Sequence, residues 1–255
     1  DERDQRTQQN IVEYIDKRLP SKIRYNFLER NYGCRQGVTM GITWFFSNVS
    51  RGIVIEDDCL PGKGAIDYIN NALVEFDPAE YAAILGTNYF TDESAVVCVD
   101  FITSYYTAVW GWGTWRENWF DFIMAKKKYS SWEVMKESLV KFKSVKLANL
   151  LATANYNQNK GLAKTWDYGW FIHNLMSGKA NLLASKNLFS NIGYEGVHGR
   201  YKTINNDLSV YEAKQLSHPI QVQTNVNYDS NIGKSKFKST YFDYFKIFVK
   251  LCLNR

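Results

Sequence analysis

Two apolar runs without polar interruption constrain the fold of this chain more than any other feature. Residues 52–58 read GIVIEDD, and residues 81–90, predicted as a second buried strand, read YAAILGTNYF and begin with an apolar run. A continuous apolar run is typical of a strand buried on both faces, whereas a half-exposed strand alternates apolar and polar residues. Residues 64–76, GAIDYINNALVEF, lie between the two runs and have the periodicity of an amphipathic helix. Strand, helix and strand in this order predict an α/β domain with a mixed, mostly parallel central sheet that is flanked by helices.

The remaining periodic segments extend this pattern along the chain. Further helices are predicted within residues 1–19, 31–49, 126–150 and 164–178, and further strands at residues 22–29, 95–102 and just after residue 180. Residues 153–161 are rich in Asn and Gln, so we expect a polar loop there, and residues 201–235 are predicted to be irregular. We therefore expect one domain over residues 1–235, followed by a C-terminal helix over residues 236–255.

Composition and charge narrow the range of functions. The chain has 255 residues, enough to bury a sizeable core, and a formal net charge of +5. This charge is mildly basic and lacks the concentrated basic patch of a nucleic-acid-binding protein, so no nucleic-acid partner is expected. Aromatic residues make up 16% of the chain, which suits both a packed core and the stacking of rings on sugars. Core packing is the expected role for most of them.

The cysteines and the C-terminal segment bear on localisation. The four cysteines are scattered without a C-x-x-C pair, which indicates free thiols in a reducing compartment and no zinc site. No apolar run is long enough to span a bilayer, so we predict a cytoplasmic protein. Residues 236–255 have the pattern of a basic amphipathic helix, which either packs on the domain or lies in the plane of a membrane surface. The second alternative would make the protein peripheral at the membrane and would suit a lipid-linked acceptor.

The first apolar run ends in three acids, Glu56, Asp57 and Asp58. Carboxylates this close repel one another, and a divalent cation that prefers oxygen ligands, such as Mn²⁺ or Mg²⁺, would remove that cost. The carboxyl ends of strands are also where open α/β sheets bind ligands. Because side chains alternate along an extended chain, we expect Asp57 to point away from Glu56 and Asp58. A solvated acidic turn before Pro61 is the alternative, and phosphatases and nucleases that use magnesium carry acids at strand ends as well.

An apolar strand that ends in Glu-Asp-Asp resembles the DxD-type metal-binding motif of GT-A glycosyltransferases. It is most similar to the motif of the N-acetylglucosaminyltransferase I family and of related bacterial nucleotide-diphospho-sugar transferases. Four further segments resemble this family in the same order: the helix of residues 33–46, VWGWGTW at 109–115, TWDYGW at 165–170 and GYEGVHG at 193–199. The resemblance implies a GT-A (Rossmann-like) fold. The chain begins about where the second strand of that fold would end, so we expect the first strands to be lacking from this chain.

The resemblance implies a metal-dependent glycosyltransferase with a UDP-sugar as donor. Asp58 corresponds to the acid that ligates Mn²⁺ (or Mg²⁺), Asp57 to one that faces the ribose, and Glu56 to one that supports the sugar or the metal-bound waters. Such an ion neutralises the charge that accumulates on the leaving diphosphate. The leading donor sugar is N-acetylglucosamine, and the expected acceptor is a hydroxyl of a glycan or glycolipid.

Asp167, within TWDYGW, is the candidate catalytic base. An ordinary acid in the first turn of a helix, where carboxylates are favoured, is the alternative interpretation of the same residue. The resemblance implies that Asp167 accepts the proton of the attacking hydroxyl. A base that lies opposite the leaving group implies inversion at the anomeric carbon.

The two Trp-rich segments supply candidates for the substrate pocket. Gly111 and Trp112 lie in the first of them, and Trp166 directly precedes Asp167 in the second. Glycine beside tryptophan indicates a loop that lets the backbone approach a ligand while a ring forms the wall. The resemblance places this loop at the sugar or acceptor pocket, and a Trp-rich corner of the core is the alternative.

Three basic residues are candidates for nucleotide binding. The resemblance places His198 and Arg200 at the diphosphate, where both side chains can donate to phosphate oxygens. The family carries a Ser between Val and His that this chain lacks, and a purely structural His198 is the alternative. Arg35 is a candidate contact to the nucleotide.

Two other classes of function stay open. A metal-dependent phosphoesterase would also use acids at strand ends, but a second metal site would need more acids or histidines, and the chain has three histidines. A glycan-binding module on a degenerate transferase fold would keep the Trp-rich segments and would need neither Asp58 nor Asp167.

Overall fold

The computed structural model of the chain describes residues 2–18, 23–89, 99–193, 209–224 and 227–237. Within these ranges the protein forms a six-stranded mixed sheet, a separate two-stranded ribbon and eight helices. The predicted α/β class with a central sheet flanked by helices is thus confirmed. None of the helices in the described part of the chain combines the length and the apolar character needed to cross a bilayer.

The helices and strands follow one another along the chain in a mixed order. The helices are α1 (Glu2–Asp16), α2 (Gly33–Asn48), α3 (Ala65–Glu75), α4 (Arg116–Met124), α5 (Ser131–Phe142), α6 (Val145–Asn159), α7 (Asp167–Ser177) and α8 (Tyr228–Ser235). The strands are β1 (Arg51–Val54), β2 (Cys59–Pro61), β3 (Tyr81–Leu85), β4 (Phe101–Ser104), β5 (Trp112–Trp115), β6 (Ala180–Ala184), β7 (Phe189–Asn191) and β8 (Val222–Thr224).

The large sheet has the strand order β1-β5-β3-β6-β4-β8. The pairs β3–β6 and β4–β8 are parallel, whereas β1–β5, β5–β3 and β6–β4 are antiparallel. The sheet is therefore mixed, as predicted, but less parallel than predicted. β1 and β3 still run in the same direction, because β5 lies antiparallel between them with Trp112 opposite both Val54 and Leu85. Their carboxyl ends consequently lie at the same edge of the sheet.

Strand β5, which lies between β1 and β3, corrects the prediction of a loop at residues 109–115. The segment enters the sheet because its glycine permits close packing: a Cβ at Gly113 would lie 2.8 Å from Leu73 Cδ1 and 2.9 Å from Ile69 Cγ2 of α3. The alternation of Gly and Trp therefore serves a buried strand with a helix pressed onto it, and only residues 109–111 remain outside the strand.

Three other local predictions are wrong. The polar residues 153–159 belong to α6. They remain helical because their side-chain amides bond to distant parts of the chain, as Asn155 Nδ2 does when it donates to the carbonyl of Tyr129 (2.9 Å). Residues 23–28 do not form a strand. β1 is an edge strand that pairs only with β5 among the described strands, so no strand from this segment lies beside it. The segment predicted to be irregular, 201–235, contains β8 and α8. Residues 95–98 of a predicted strand and most of the predicted C-terminal helix, 238–255, lie outside the described residues.

Two hydrophobic clusters position the functional end of the sheet. In the first, α3 packs with Ile69 and Leu73 against strand residues that include Ile84. In the second, rings gather around β5 and the start of α7. We call this group the aromatic core and define it as Phe46, Trp112, Trp119, Trp166 and Trp170, each at most 3% exposed. The aromatic core anchors the first turn of α7 beside the carboxyl end of β1.

Candidate functional site

The acid triplet lies in a tight turn at the carboxyl end of β1. The strand ends at Val54, and the chain turns back through Asp57 and Asp58 into β2. The N–H of Cys59 donates to the carbonyl of Glu56 (3.1 Å), which closes the turn. Glu56 and Asp58 are half-buried, whereas Asp57 is exposed. The three acids therefore occupy two environments, and Asp57 is the one that solvent reaches most easily.

Glu56, Asp58 and Cys59 form a compact group of potential metal ligands. A carboxylate oxygen of each acid and the Sγ atom of Cys59 all lie within 4.8 Å of one another. The Cys59 thiol donates to Oδ1 of Asp58 (3.5 Å). Burial, together with the nearby Asp58 carboxylate, raises the pKa of Cys59 to about 12. Without a metal ion the sulfur therefore stays a thiol at neutral pH, and ions such as Mn²⁺ and Mg²⁺ prefer the carboxylate oxygens of Glu56 and Asp58.

Glu56 is the acid whose electrostatic surroundings are most unfavourable to its charge. Burial is the main cause that raises the pKa of Glu56 to about 7, and the charges of Asp58, Asp167 and Asp57 add to the shift in that order. The ion pairs found among the described residues include none of these acids. The repulsion is thus not offset by a side-chain cation in the described part of the chain, and a bound divalent cation would relieve it.

Asp167 lies next to this turn although it is distant in sequence. It is the first residue of α7, and its charge is the second-largest Coulombic contribution to the raised pKa of Glu56. Its Oδ1 atom is buried and has no hydrogen-bond partner among the described residues. We refer to Glu56, Asp58 and Asp167 as the acid cluster. The structure thereby brings together two segments that sequence analysis had connected only through a resemblance.

The β2–β7 ribbon brings a further segment to the turn. Cys59 pairs with Asn191, and the N–H of Ile192 donates to the carbonyl of Asp58 (2.8 Å). Gly193 follows directly and lies against the Asp58 side chain. Sequence analysis missed both Cys59 and Gly193 as site residues. The available signals were weak: Cys59 directly follows the triplet, and Gly193 opens the GYEGVHG segment.

Position 111, at the same edge of the sheet, requires a glycine. Its φ is +68°, a left-handed conformation that favours glycine, and a Cβ there would lie 2.3 Å from ring atoms of Phe189. Its carbonyl accepts from the N–H of Gly86 (2.9 Å). The ring of Phe189 therefore fills the space beside Gly111, and the absence of a side chain at Gly111 lets β7 pack against the sheet.

The rings of Trp112 and Trp166 lie in the interior rather than at an open surface. Trp112 is 0% exposed and Trp166 is 3% exposed, and the two rings stack with centroids 5.8 Å apart. Neither indole offers a free face to a ligand in this structure. Both rings are packed in the core, as the alternative of a Trp-rich corner of the core describes. Their role in a substrate pocket stays a prediction.

The three basic candidates differ in what the structure describes. Arg35 is half-buried in the first turn of α2. Residues 49–50 connect α2 to β1, and Phe45 near the end of α2 lies against Gly52 of β1. His198 and Arg200 lie outside the described residues. The nucleotide-binding role of all three stays a prediction.

A cavity of about 390 Å³ lies away from the acid cluster. It is lined by Asn118, Asp121, His173 and Lys179, among others, near the amino ends of β3 and β6. Burial lowers the pKa of His173 there. Since the acids follow the carboxyl end of β1, this cavity belongs to the opposite edge of the sheet.

No protein-family model matches the chain, and no curated protein matches it significantly in sequence. The class that fold and site define is a mixed α/β domain with an acid cluster at the carboxyl edge of its sheet. A more specific function depends on the chemistry that this cluster can perform.

Proposed function

We propose that this chain is a metal-dependent, inverting glycosyltransferase of the GT-A type. It would transfer a sugar, with N-acetylglucosamine as the leading candidate, from a UDP-sugar to a hydroxyl of a glycan or glycolipid. The observation that carries the proposal is that the start of α7 lies beside the carboxyl end of β1: Trp166, directly before Asp167, stacks on Trp112, which lies opposite Val54. The contribution of Asp167 to the raised pKa of Glu56 agrees with this position. A solvated acidic turn requires no such partner from α7, whereas a transferase requires a base beside its metal site.

The donor atoms of the acid cluster suit Mn²⁺ or Mg²⁺. Glu56 and Asp58 offer hard carboxylate oxygens within 4.8 Å of each other, and both ions prefer such ligands together with substrate phosphates. Asp58 would be the direct ligand, and Glu56 would complete or support the site. Cys59 would remain a thiol that orients Asp58. When bound, the ion supplies Lewis-acid stabilisation of the charge on the departing diphosphate.

Asp167 would accept the proton of the attacking hydroxyl. Its buried Oδ1, which has no hydrogen-bond partner among the described residues, has a lone pair available for that proton. Trp166 and Trp170, both buried, hold this turn in place. A base on α7 and a leaving group at the triplet would lie on opposite sides of the sugar, which leads to inversion.

The remaining predicted contacts concern the nucleotide. Asp57, the exposed acid of the triplet, would face the ribose. Arg35 would reach the nucleotide from the first turn of α2, and His198 and Arg200 would bind the diphosphate. Gly111 would lie at the edge of the sugar pocket.

The test is a binding and transfer assay with the protein, Mn²⁺ and a panel of nucleotide sugars. Asp58→Ala should lose metal-dependent UDP binding. Asp167→Asn should bind UDP normally and lose about 10²- to 10⁴-fold in transfer or donor hydrolysis, the usual contribution of a general base. Asp67→Asn, which changes an exposed acid in the first turn of α3, is the matched control and should behave as wild type. UDP binding that is indifferent to metal and to Asp58 would reject the mechanism.

A further inference from the structure

Gly193 lies so close to Asp58 that no other residue fits there unchanged. A Cβ built on Gly193 would lie 2.2 Å from Oδ2 of Asp58 and 3.0 Å from its Cβ and Cγ. The φ of Gly193 is outside the left-handed region, so the backbone itself does not demand glycine. The requirement is steric, and the three atoms nearest to such a Cβ all belong to the Asp58 side chain.

Asp58 is held in place by hydrogen bonds that a larger neighbour would disturb. Its Oδ1 accepts from the Cys59 thiol (3.5 Å), and its carbonyl accepts from the N–H of Ile192 (2.8 Å). Gly193 is held as well, because its N–H donates to Oδ1 of Asn191 (2.8 Å). Asn191 in turn pairs with Cys59 across the β2–β7 ribbon. The carboxylate of Asp58 is thus bounded on one oxygen by Cys59 and on the other by Gly193.

We propose that Gly193 is a positioning residue that sets where the Asp58 carboxylate lies and thereby the affinity of the Glu56–Asp58 pair for a divalent cation. The identity of the ion rests on the proposed function, whereas the contact between Gly193 and Asp58 does not. A side chain at position 193 would have to shift the Asp58 carboxylate and would thereby change the spacing between the oxygens that Glu56 and Asp58 offer to a cation. Residues that orient a metal ligand typically change metal affinity by about 10- to 100-fold when they are replaced.

The test is a Mn²⁺ titration of the full chain by calorimetry, with thermal unfolding measured on the same samples. Gly193→Ala should weaken Mn²⁺ binding by about tenfold or more, while the melting temperature without metal stays close to that of wild type. Gly41→Ala is the matched control: Gly41 lies inside α2, and a Cβ there meets nothing within 4 Å. It should leave Mn²⁺ affinity unchanged.

Asn191→Ala is the second variant and adds no atom beside Asp58. It removes the acceptor that holds Gly193, so Mn²⁺ affinity should fall by a smaller factor than in Gly193→Ala, even if Gly193→Ala proves unstable. Asp58→Ala defines the level of no specific binding. If Asp58→Ala abolishes Mn²⁺ binding while Gly193→Ala and Asn191→Ala bind as wild type does, the positioning role is overturned and the proposed function survives. If Asp58→Ala binds Mn²⁺ as wild type does, the metal site itself is rejected.

Discussion

Two consecutive residues at the start of α7 enter opposite environments. Trp166 is 3% exposed and packs among the rings of the aromatic core, whereas Asp167 borders Glu56 in the acid cluster. Packed aromatic pairs each contribute about 0.5–1.5 kcal/mol beyond the burial of their area. Neighbouring carboxylates in a half-buried site lower stability instead. The comparison indicates that packing of the aromatic core stabilises the first turn of α7, which holds Asp167 close to two other acids despite their repulsion.

The two regions also differ in what would complete them. The rings of the aromatic core pack on one another, with the centroid of Trp170 5.4 Å from that of Trp112 and 5.6 Å from that of Trp119. The indole N–H groups of Trp112 and Trp170 have no hydrogen-bond partner among the described residues. In the acid cluster, the buried atom without a hydrogen-bond donor among the described residues is a carboxylate oxygen, Oδ1 of Asp167. The first region is therefore expected to respond to loss of volume, and the second to pH and to cations.

The largest effect is expected from the aromatic core. Trp170→Ala removes a fully buried ring that contacts several other rings and should lower the free energy of unfolding by about 3–5 kcal/mol. Urea denaturation followed by circular dichroism measures this change. Trp132→Ala, which removes a ring that is 48% exposed on α5, is the control and should cost far less. Equal losses in the two variants would contradict the structural role assigned to the aromatic core.

A divalent cation should stabilise the acid cluster by a smaller amount. Mn²⁺ at about 100 times its dissociation constant should add about 2.7 kcal/mol to the free energy of unfolding, because it binds the folded state only. The measurement is the urea midpoint with MnCl₂ and with NaCl at equal ionic strength. Asp58→Ala should show no difference between the two salts. Stabilisation that persists in Asp58→Ala would place the ion elsewhere.

The smallest effect is the pH dependence that Glu56 introduces. The pKa of Glu56 is raised from 4.5 to about 7 in the folded state, so the unfolded chain loses this proton first as pH rises. Without metal, Glu56 therefore does not lower the free energy of unfolding below about pH 4.5. Its destabilising contribution grows between pH 4.5 and 7 and is constant above that range. With allowance for solvent screening at a half-buried site, the cost should reach about 1–2 kcal/mol.

Glu56→Gln isolates this contribution. The difference in the free energy of unfolding between Glu56→Gln and wild type should become more favourable to the variant from pH 5 to pH 8 in the presence of a chelator. Saturating Mn²⁺ should reverse the trend, since the ion favours the ionised carboxylate. A pH-independent difference would mean that Glu56 is not desolvated as the structure indicates.

Local sequence patterns predicted several elements closely. The helix predicted at residues 64–76 is α3 (Ala65–Glu75), and the strand predicted at residues 81–90 contains β3, which ends at Leu85. The helix predicted at residues 164–178 ends where its glycine indicates, since Gly178 has a φ of +77° after α7. These predictions succeeded because periodicity and helix-ending signals act over a few residues.

The predictions failed where distant contacts outweigh local pattern. Gly113 suggested a loop, but its missing side chain lets α3 approach β5 within the sheet. Asn155 suggested a polar loop, but its amide finds the carbonyl of Tyr129 and stays buried in α6. In each case the deciding partner lies far along the chain and leaves no trace in the residues nearby.

The sequence by itself determined that a buried strand ends in three acids, because an uninterrupted apolar run and the carboxylates after it are local facts. Only the tertiary structure decided that Asp167 borders those acids, that Gly193 lies against Asp58, and that the rings of Trp112 and Trp166 face inward. The physical reason is that burial, electrostatic shifts and steric exclusion depend on which distant segments meet. The turn after β1 acquires its chemistry from β7 and α7, which no pattern within residues 52–58 specifies.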